Sequence, residues 1–329
     1  MQKKIKQKNR SNLKETQMEK QKIILDCDPG HDDAIAIMVA GGCPDIEILG
    51  ITITHGNNYL RNVTRNALNI CQWLELDVPV YVGCEVPLVR DLVIPPGVTD
   101  PTGMRSNFPF PPLTKKAEEK GAVDFIIETI QKYPGEVTLI PTGPMSNIGL
   151  AMRKEPAIIP LIKQIYFMGG AREHGNVNGA AEFNIWADPE AASIVINSGV
   201  PLVMMGLDVT RKALCLPEVI ERIGKLNNRA SKLFVELMTV FSEGQKRMYG
   251  WLGAPVHDAT CVAYLIDPSF METKDMLVEV DLSHGPSYGR TNCDGFFILG
   301  DSTSNVKVCT DLNPNGFWEI VEKSLKNYK

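Results

Sequence analysis

The chain has 329 residues, with 44% hydrophobic and 22% charged, the balance of an ordinary soluble globular protein rather than an intrinsically disordered one. Its net charge of −5, from 34 basic and 39 acidic residues, leaves no electrostatic footprint for nucleic acid. No apolar run approaches the roughly 20 residues needed to cross a bilayer, so nucleic-acid and membrane partners are both excluded. Residues 1–20 are rich in lysine and poor in apolar side chains and read as a disordered basic extension, with 21–329 as one domain. Ile23-Ile24-Leu25 runs straight into Asp26, too short for the core of a signal peptide. Further along, Ile23–Leu25 reads as a strand, Ala34–Ala40 as a buried helix, Ile46–Thr54 as a strand and Val63–Leu74 as a helix. Val78–Val82, Val137–Pro141, Gln164–Met168 and Val200–Met205 continue the strand series, each flanked by helix-like stretches. Ser231–Glu243 reads as a long helix, and Met276–Asp281 with Tyr288–Asn292 as an antiparallel pair.

Alternation of this kind predicts an α/β fold: a Rossmann-like, mostly parallel central sheet with helices on both faces and a small antiparallel appendage. In such sheets ligands bind beyond the carboxyl ends of the strands. Eight scattered cysteines, with no CxxC and no clustering near histidine, read as reduced thiols of a cytoplasmic protein.

The chemistry concentrates in Asp26-Cys27-Asp28-Pro29-Gly30-His31-Asp32-Asp33, where four carboxylates fall within eight residues between a buried strand and a helix. Like charges this close raise one another's pKa unless a cation compensates, and oxygen ligands at this density suit a hard divalent ion. Pro29-Gly30 makes the tight turn that lets the flanking residues face one point. Acidic residues at a helix start are favoured by the dipole, but one or two would suffice for that. An Asp-x-Asp phosphatase nucleophile also follows a first strand, yet Gly30 does not fit its pattern and the Asp32-Asp33 pair has no part in it.

The same segment resembles the signature of the inosine-uridine nucleoside hydrolases. Gly56-Asn57, Pro141 to Asn147, Met168-Gly169-Gly170, Glu182 to Glu190 and Val256-His257-Asp258-Ala259 follow in the family's order, from about residue 20 to the end. Met204 to Asp208 and the Gln245/Tyr249 spacing make the chain most similar to the bacterial pyrimidine-specific ribonucleoside hydrolases. The resemblance implies Ca²⁺-dependent cleavage of the N-ribosidic bond of uridine or cytidine to ribose and free base, in nucleoside salvage, by a homotetramer or homodimer. It implies Ca²⁺ ligation by Asp28, Asp33, Asp258 and the main-chain carbonyl of Thr142, with Asp28 as general base. Asp32, Asn57, Glu182 and Asn184 would hold the ribose, with Met168 against the sugar and Asp26 as a support. An oxocarbenium-like sugar is stabilised by such oxygens. His257 would assist the leaving base, and Gln245 and Tyr249, four apart on one helical face, would lie near it.

One position departs from the family pattern. Thr99 stands where a histidine is common, in the loop Val98 to Gly103 within a flap over 95–108. Its ring hydrogen bond would pass to Thr99 or to a neighbour such as His55. Alternatives are a purine or broad inosine-uridine preference, and a nucleoside-binding protein without turnover.

Overall fold

The computed structural model describes residues 19–95, 102–298 and 303–329. Most of the basic extension (1–18) and the flap position Thr99 lie outside the described residues. The chain begins with β1 (Gln21–Cys27), α1 (His31–Gly42), β2 (Ile46–Ile53), α2 (Leu60–Trp73) and β3 (Val80–Val82). It continues through α3 (Ala122–Lys132), β4 (Val137–Pro141), α4 (Ser146–Lys154), β5 (Gln164–Met168), α5 (Phe183–Ala187), α6 (Pro189–Ile196) and β6 (Leu202–Met205). Then come α7 (Leu207–Thr210), β7 (Leu214–Cys215), α8 (Pro217–Gly224), α9 (Arg229–Tyr249), β8 (Ala254–Pro255) and α10 (Ala259–Ile266). The last elements are β9 (Met271–Val280), β10 (Thr291–Asp294), β11 (Val306–Leu312) and α11 (Pro314–Leu325).

The main sheet has nine strands in the order β10-β9-β11-β6-β5-β4-β1-β2-β3, and β7 and β8 form a separate antiparallel pair. From β3 through β11 every neighbouring pair is parallel. Such a sheet needs cover on both faces, and the strand residues show it. Ile23 and Leu25 enter the core shared with α1, α2, α9, α10 and α11, whereas Ile24 enters the core under α3, α4 and α6. A run of three fully buried apolar residues is therefore a central strand here, not a helix.

The antiparallel part is an extension of that sheet. β9 pairs with β11 from Met271 to Met276 and with β10 from Leu277 to Val280, so one strand changes partner midway. β4 and β5 match their sequence-based bounds, while the helix expected over Ser231–Glu243 runs from Arg229 to Tyr249 and ends on Gly250 in the left-handed conformation (φ 71°).

The chain winds from β1 through β2 to β3 on one side and from β4 through β5 to β6 on the other. The switch point is the β1/β4 boundary, where Asp26 pairs with Pro141. A crevice opens beyond the strand ends at such a point.

Candidate active site

The loop after β1 carries Asp28 and turns through Pro29-Gly30 into α1, whose first turn contains Asp32 and Asp33. Acidic side chains suit a helix N-terminus, and Asp33 Oδ2 accepts from the Gly30 N–H at 3.0 Å. Asp258 reaches the same place from the start of α10. Carboxylate oxygens of Asp32, Asp33 and Asp258 all lie within 4.8 Å of one another, a group able to hold a metal ion. The resemblance assigned Asp28 rather than Asp32 to the ion; Asp28 stands beside this group, close enough for the Asp33 charge to act on it.

All four carboxylates are disfavoured as anions. Burial first, and then the charge of Asp33, push Asp28 well up and Asp32 to about 7. Burial and the charge of Asp32 push Asp258 well up, and burial raises Asp33. Repulsion of this kind is what a bound cation removes. Asp28 also has an oxygen to offer: Oδ2 accepts from the Asn57 N–H at 2.6 Å, while Oδ1 is buried without a hydrogen-bond partner. A Cβ on Gly143 would stand 2.5 Å from that oxygen, and one on Gly56 (φ +154°) would collide with Oδ2. Glycine is required at both places to let backbone close on the carboxylate.

From Asp28 a continuous line of hydrogen bonds crosses the strand ends. Asn57 Nδ2 donates to Asp28 O (3.1 Å) and Asp33 Oδ2 (3.3 Å), and Thr142 Oγ1 donates to Asp33 Oδ1 (2.9 Å). Asn184 Nδ2 donates to Thr142 O at 2.8 Å, to Met168 O at 3.1 Å and to Met168 Sδ at 3.3 Å. Glu182 caps α5, accepting from Asn184 N at 2.9 Å and, through Oε2, from Gly170 N at 2.9 Å; burial raises it to about 7. Seven of the expected residues, Asp28, Asn57, Asp33, Thr142, Asn184, Met168 and Glu182, thus belong to one network. Asp26 sits behind them, its Oδ1 accepting from Thr52 Oγ1 (2.6 Å) and Asn147 Nδ2 (2.8 Å).

The residues expected near the base are placed differently. His257 Nδ1 lies 2.7 Å from Thr210 Oγ1, which fixes the ring and leaves Nε2 on its other edge. Desolvation, followed by the Arg211 charge, lowers His257 to about 3, so the ring is neutral at pH 7. Among the described residues, no hydrogen bond joins Gln245 or Tyr249 to the network. Gln245 Oε1 is buried without a partner, and Tyr249 is half exposed and stacks on Trp251 with centroids 4.9 Å apart. Their position follows from Phe241, which stacks on His31 at 4.8 Å and 5°. Phe241, Gln245 and Tyr249 recur every four residues along α9, so one helical stripe starts on the aspartate loop and runs outward. Sequence reasoning left His31 unassigned, and nothing in its local sequence signals that stack. It also offered His55 as a ring partner for the substrate. His55 is fully buried, and its Nε2, 2.9 Å from Ser146 Oγ, is already engaged.

The pattern of the inosine-uridine preferring nucleoside hydrolase family matches residues 23–319. The chain is 50% identical over 311 residues to the pyrimidine-specific ribonucleoside hydrolase RihB of Escherichia coli, covering 94% of this chain and 99% of the relative. A purine-preferring ribonucleoside hydrolase from Gardnerella vaginalis superposes with a TM-score of 0.86 at 35% identity, covering 93% of this chain and 98% of that one. The plant nucleoside hydrolase PpNRh1 gives 0.87 at 27% identity, covering 93% and 99%. Carboxylates gathered at the switch point, a hydrogen-bonded line of amide and carboxylate groups beside them and these likenesses converge: the chain belongs to the inosine-uridine preferring nucleoside hydrolase family and is an N-ribosyl hydrolase.

Proposed function

We propose that the protein is a calcium-dependent hydrolase of uridine and cytidine, releasing ribose and free base for nucleoside salvage in the cytoplasm, as a homotetramer or homodimer. The observation that carries this reading is the buried, unpartnered Oδ1 of Asp28 beside three clustered carboxylates. Asp28, Asp33, Asp258 and the Thr142 carbonyl would hold the cation, with Asp32 against the same group. Bound there, the ion supplies positive charge that offsets the carboxylates and lowers the pKa of attacking water. Asp28 accepts that water's proton. Asp32, Asn57, Glu182 and Asn184 hold the ribose hydroxyls, and Met168 packs against the sugar. Their oxygens face the positive charge that develops on the ring, and attack from the Asp28 side inverts the anomeric carbon. His257 donates a hydrogen bond to the departing base, while Gln245 and Tyr249 contact it.

Pyrimidine preference is supported by the half-identical relative that is named for it. The Gardnerella likeness favours a second reading, purine preference on the same machinery. Reducing-sugar release from uridine, cytidine, inosine and adenosine, each with calcium and with chelator, separates them. Calcium-dependent ribose from uridine or cytidine supports the first reading, and faster release from inosine the second. No release from any nucleoside refutes both.

A further inference from the structure

Behind the site, three side chains from distant parts of the chain form one buried line. His55 Nε2 lies 2.9 Å from Ser146 Oγ, and Ser146 Oγ donates to Asp188 Oδ2 at 2.5 Å. Asp188 also accepts from Leu88 N (3.0 Å, Oδ2) and Ala191 N (3.1 Å, Oδ1), which ties the line to the starts of α4 and α6. All three side chains are 0% exposed.

A serine hydroxyl has one proton to give. Ser146 gives it to Asp188, so it accepts from His55, and Nε2 carries the ring's proton. Nδ1 is then a bare acceptor, and it is buried with no hydrogen-bond partner. Serine, histidine and aspartate suggest a hydrolytic triad, but the order is wrong. There the imidazole takes the serine's proton; here it donates to the serine, and no solvent reaches any member. The line is a strut. Burying a ring nitrogen without a partner costs free energy that an apolar side chain of the same size would avoid. What offsets that cost is the work of the other nitrogen.

His55 opens the turn that touches Asp28. Its own N–H donates to Cys84 O at 3.0 Å, and two residues later the Asn57 N–H donates to Asp28 Oδ2 at 2.6 Å. Gly56 between them is pressed so close that any side chain there would collide with the carboxylate. We propose that His55 is a positioning residue: anchored through Ser146 to Asp188, it holds the Gly56-Asn57 turn against Asp28 and so aims the carboxylate's free oxygen into the site. The proposal rests on the reading of Asp28 as base and ligand.

The test compares H55Q, H55N and H55A, all purified free of metal, then titrated with calcium alone by calorimetry and assayed on uridine at saturating calcium. A glutamine amide presents an N–H near the reach of His Nε2; asparagine, one carbon shorter, does not. H55A and H55N are expected to lose roughly tenfold or more in kcat, the scale for a catalytic group displaced by a fraction of an ångström. KM for uridine should change less than kcat, because of the ribose partners only Asn57 sits on the displaced turn while Asp32, Glu182 and Asn184 stay in place. Calcium binding should weaken in both variants and recover in H55Q together with kcat. H55A matching the wild type in kcat and calcium affinity, or H55Q performing no better than H55N, overturns the proposal. Should H55A fail to fold, the glutamine–asparagine contrast decides. Should the wild type release no ribose, the functional reading fails, and the calcium titrations alone decide on the strut.

Discussion

The two sides of the crevice are built to different standards. On the side expected to hold the ribose, Asp28, Asp33, Glu182 and Asn184 are buried on the loop after β1 or at the starts of α1 and α5, and hydrogen bonds run from one to the next. On the side where Tyr249 is expected to meet the base, Tyr249 with its neighbours Met248 and Leu252 stands out in solvent at the end of α9, Leu252 77% exposed. Chemistry that must hold atoms within half an ångström sits on rigid elements, and recognition that must tolerate different bases sits where side chains can adjust. Such a division would let relatives sharing one frame be named for pyrimidines in one case and purines in another.

Breaking the rigid side should cost most. Asp28→Ala removes a proton acceptor and a calcium ligand together, and uridine hydrolysis at saturating calcium should fall by about a thousandfold or more. Retention of a tenth of the rate would remove Asp28 from both roles. His257 stands at the border. Its alanine variant should lose about a hundredfold on uridine but less than about tenfold on p-nitrophenyl riboside, whose leaving group needs little help. Equal losses on both substrates would deny it the leaving-group role. On the adjustable side, Tyr249→Ala should raise KM for uridine by roughly fivefold with kcat within twofold, as expected when a contact is made equally in ground and transition states. A larger change in kcat than in KM would place Tyr249 in the chemistry instead.

The smallest effect concerns acid stability. Burial lowers His55 to about 4, below the 6.5 of an exposed histidine. Between those values the unfolded chain binds a proton that the folded one refuses, so the stability His55 contributes is complete above pH 6.5 and is lost as pH falls toward 4. Urea unfolding at pH 7 and pH 5, with calcium present, should show the wild type losing about 2 kcal/mol more than H55Q. Parallel losses would mean that the ring is already charged when folded.

Much of the rigid side could be read without coordinates, because its residues come in contiguous runs whose composition has few explanations. Four aspartates in eight positions exceed what a helix start needs, and β4 and β5, buried on both faces, stand out as apolar runs with the bounds they have in the fold. Other features were hidden for definite reasons. β11 was not read as a strand, since Val306-Lys307-Val308 alternates for too short a stretch to stand out before Cys309. β9 changes partner at Met276, and its buried side shifts phase across Lys274-Asp275, from Met271 to Met276 and Val278, so local sequence does not show its two neighbours. His55, Ser146 and Asp188 are 91 and 42 positions apart, and only the fold brings them together. The Phe241–His31 stack, at the start of the Gln245/Tyr249 stripe, spans a still wider gap in the chain.

Asp33 and Asp258, whose oxygens sit in one cluster, lie 225 positions apart in the chain (258 − 33). At roughly 5–20 residues per second, a ribosome needs on the order of 10 to 45 s to travel between them. For that interval the growing chain carries the aspartate loop with nothing from α10 to complete it. With Asp258 in the proposed role, catalytic competence waits for residue 258, and a truncated product stopping before it would be inert however well its first strands had folded.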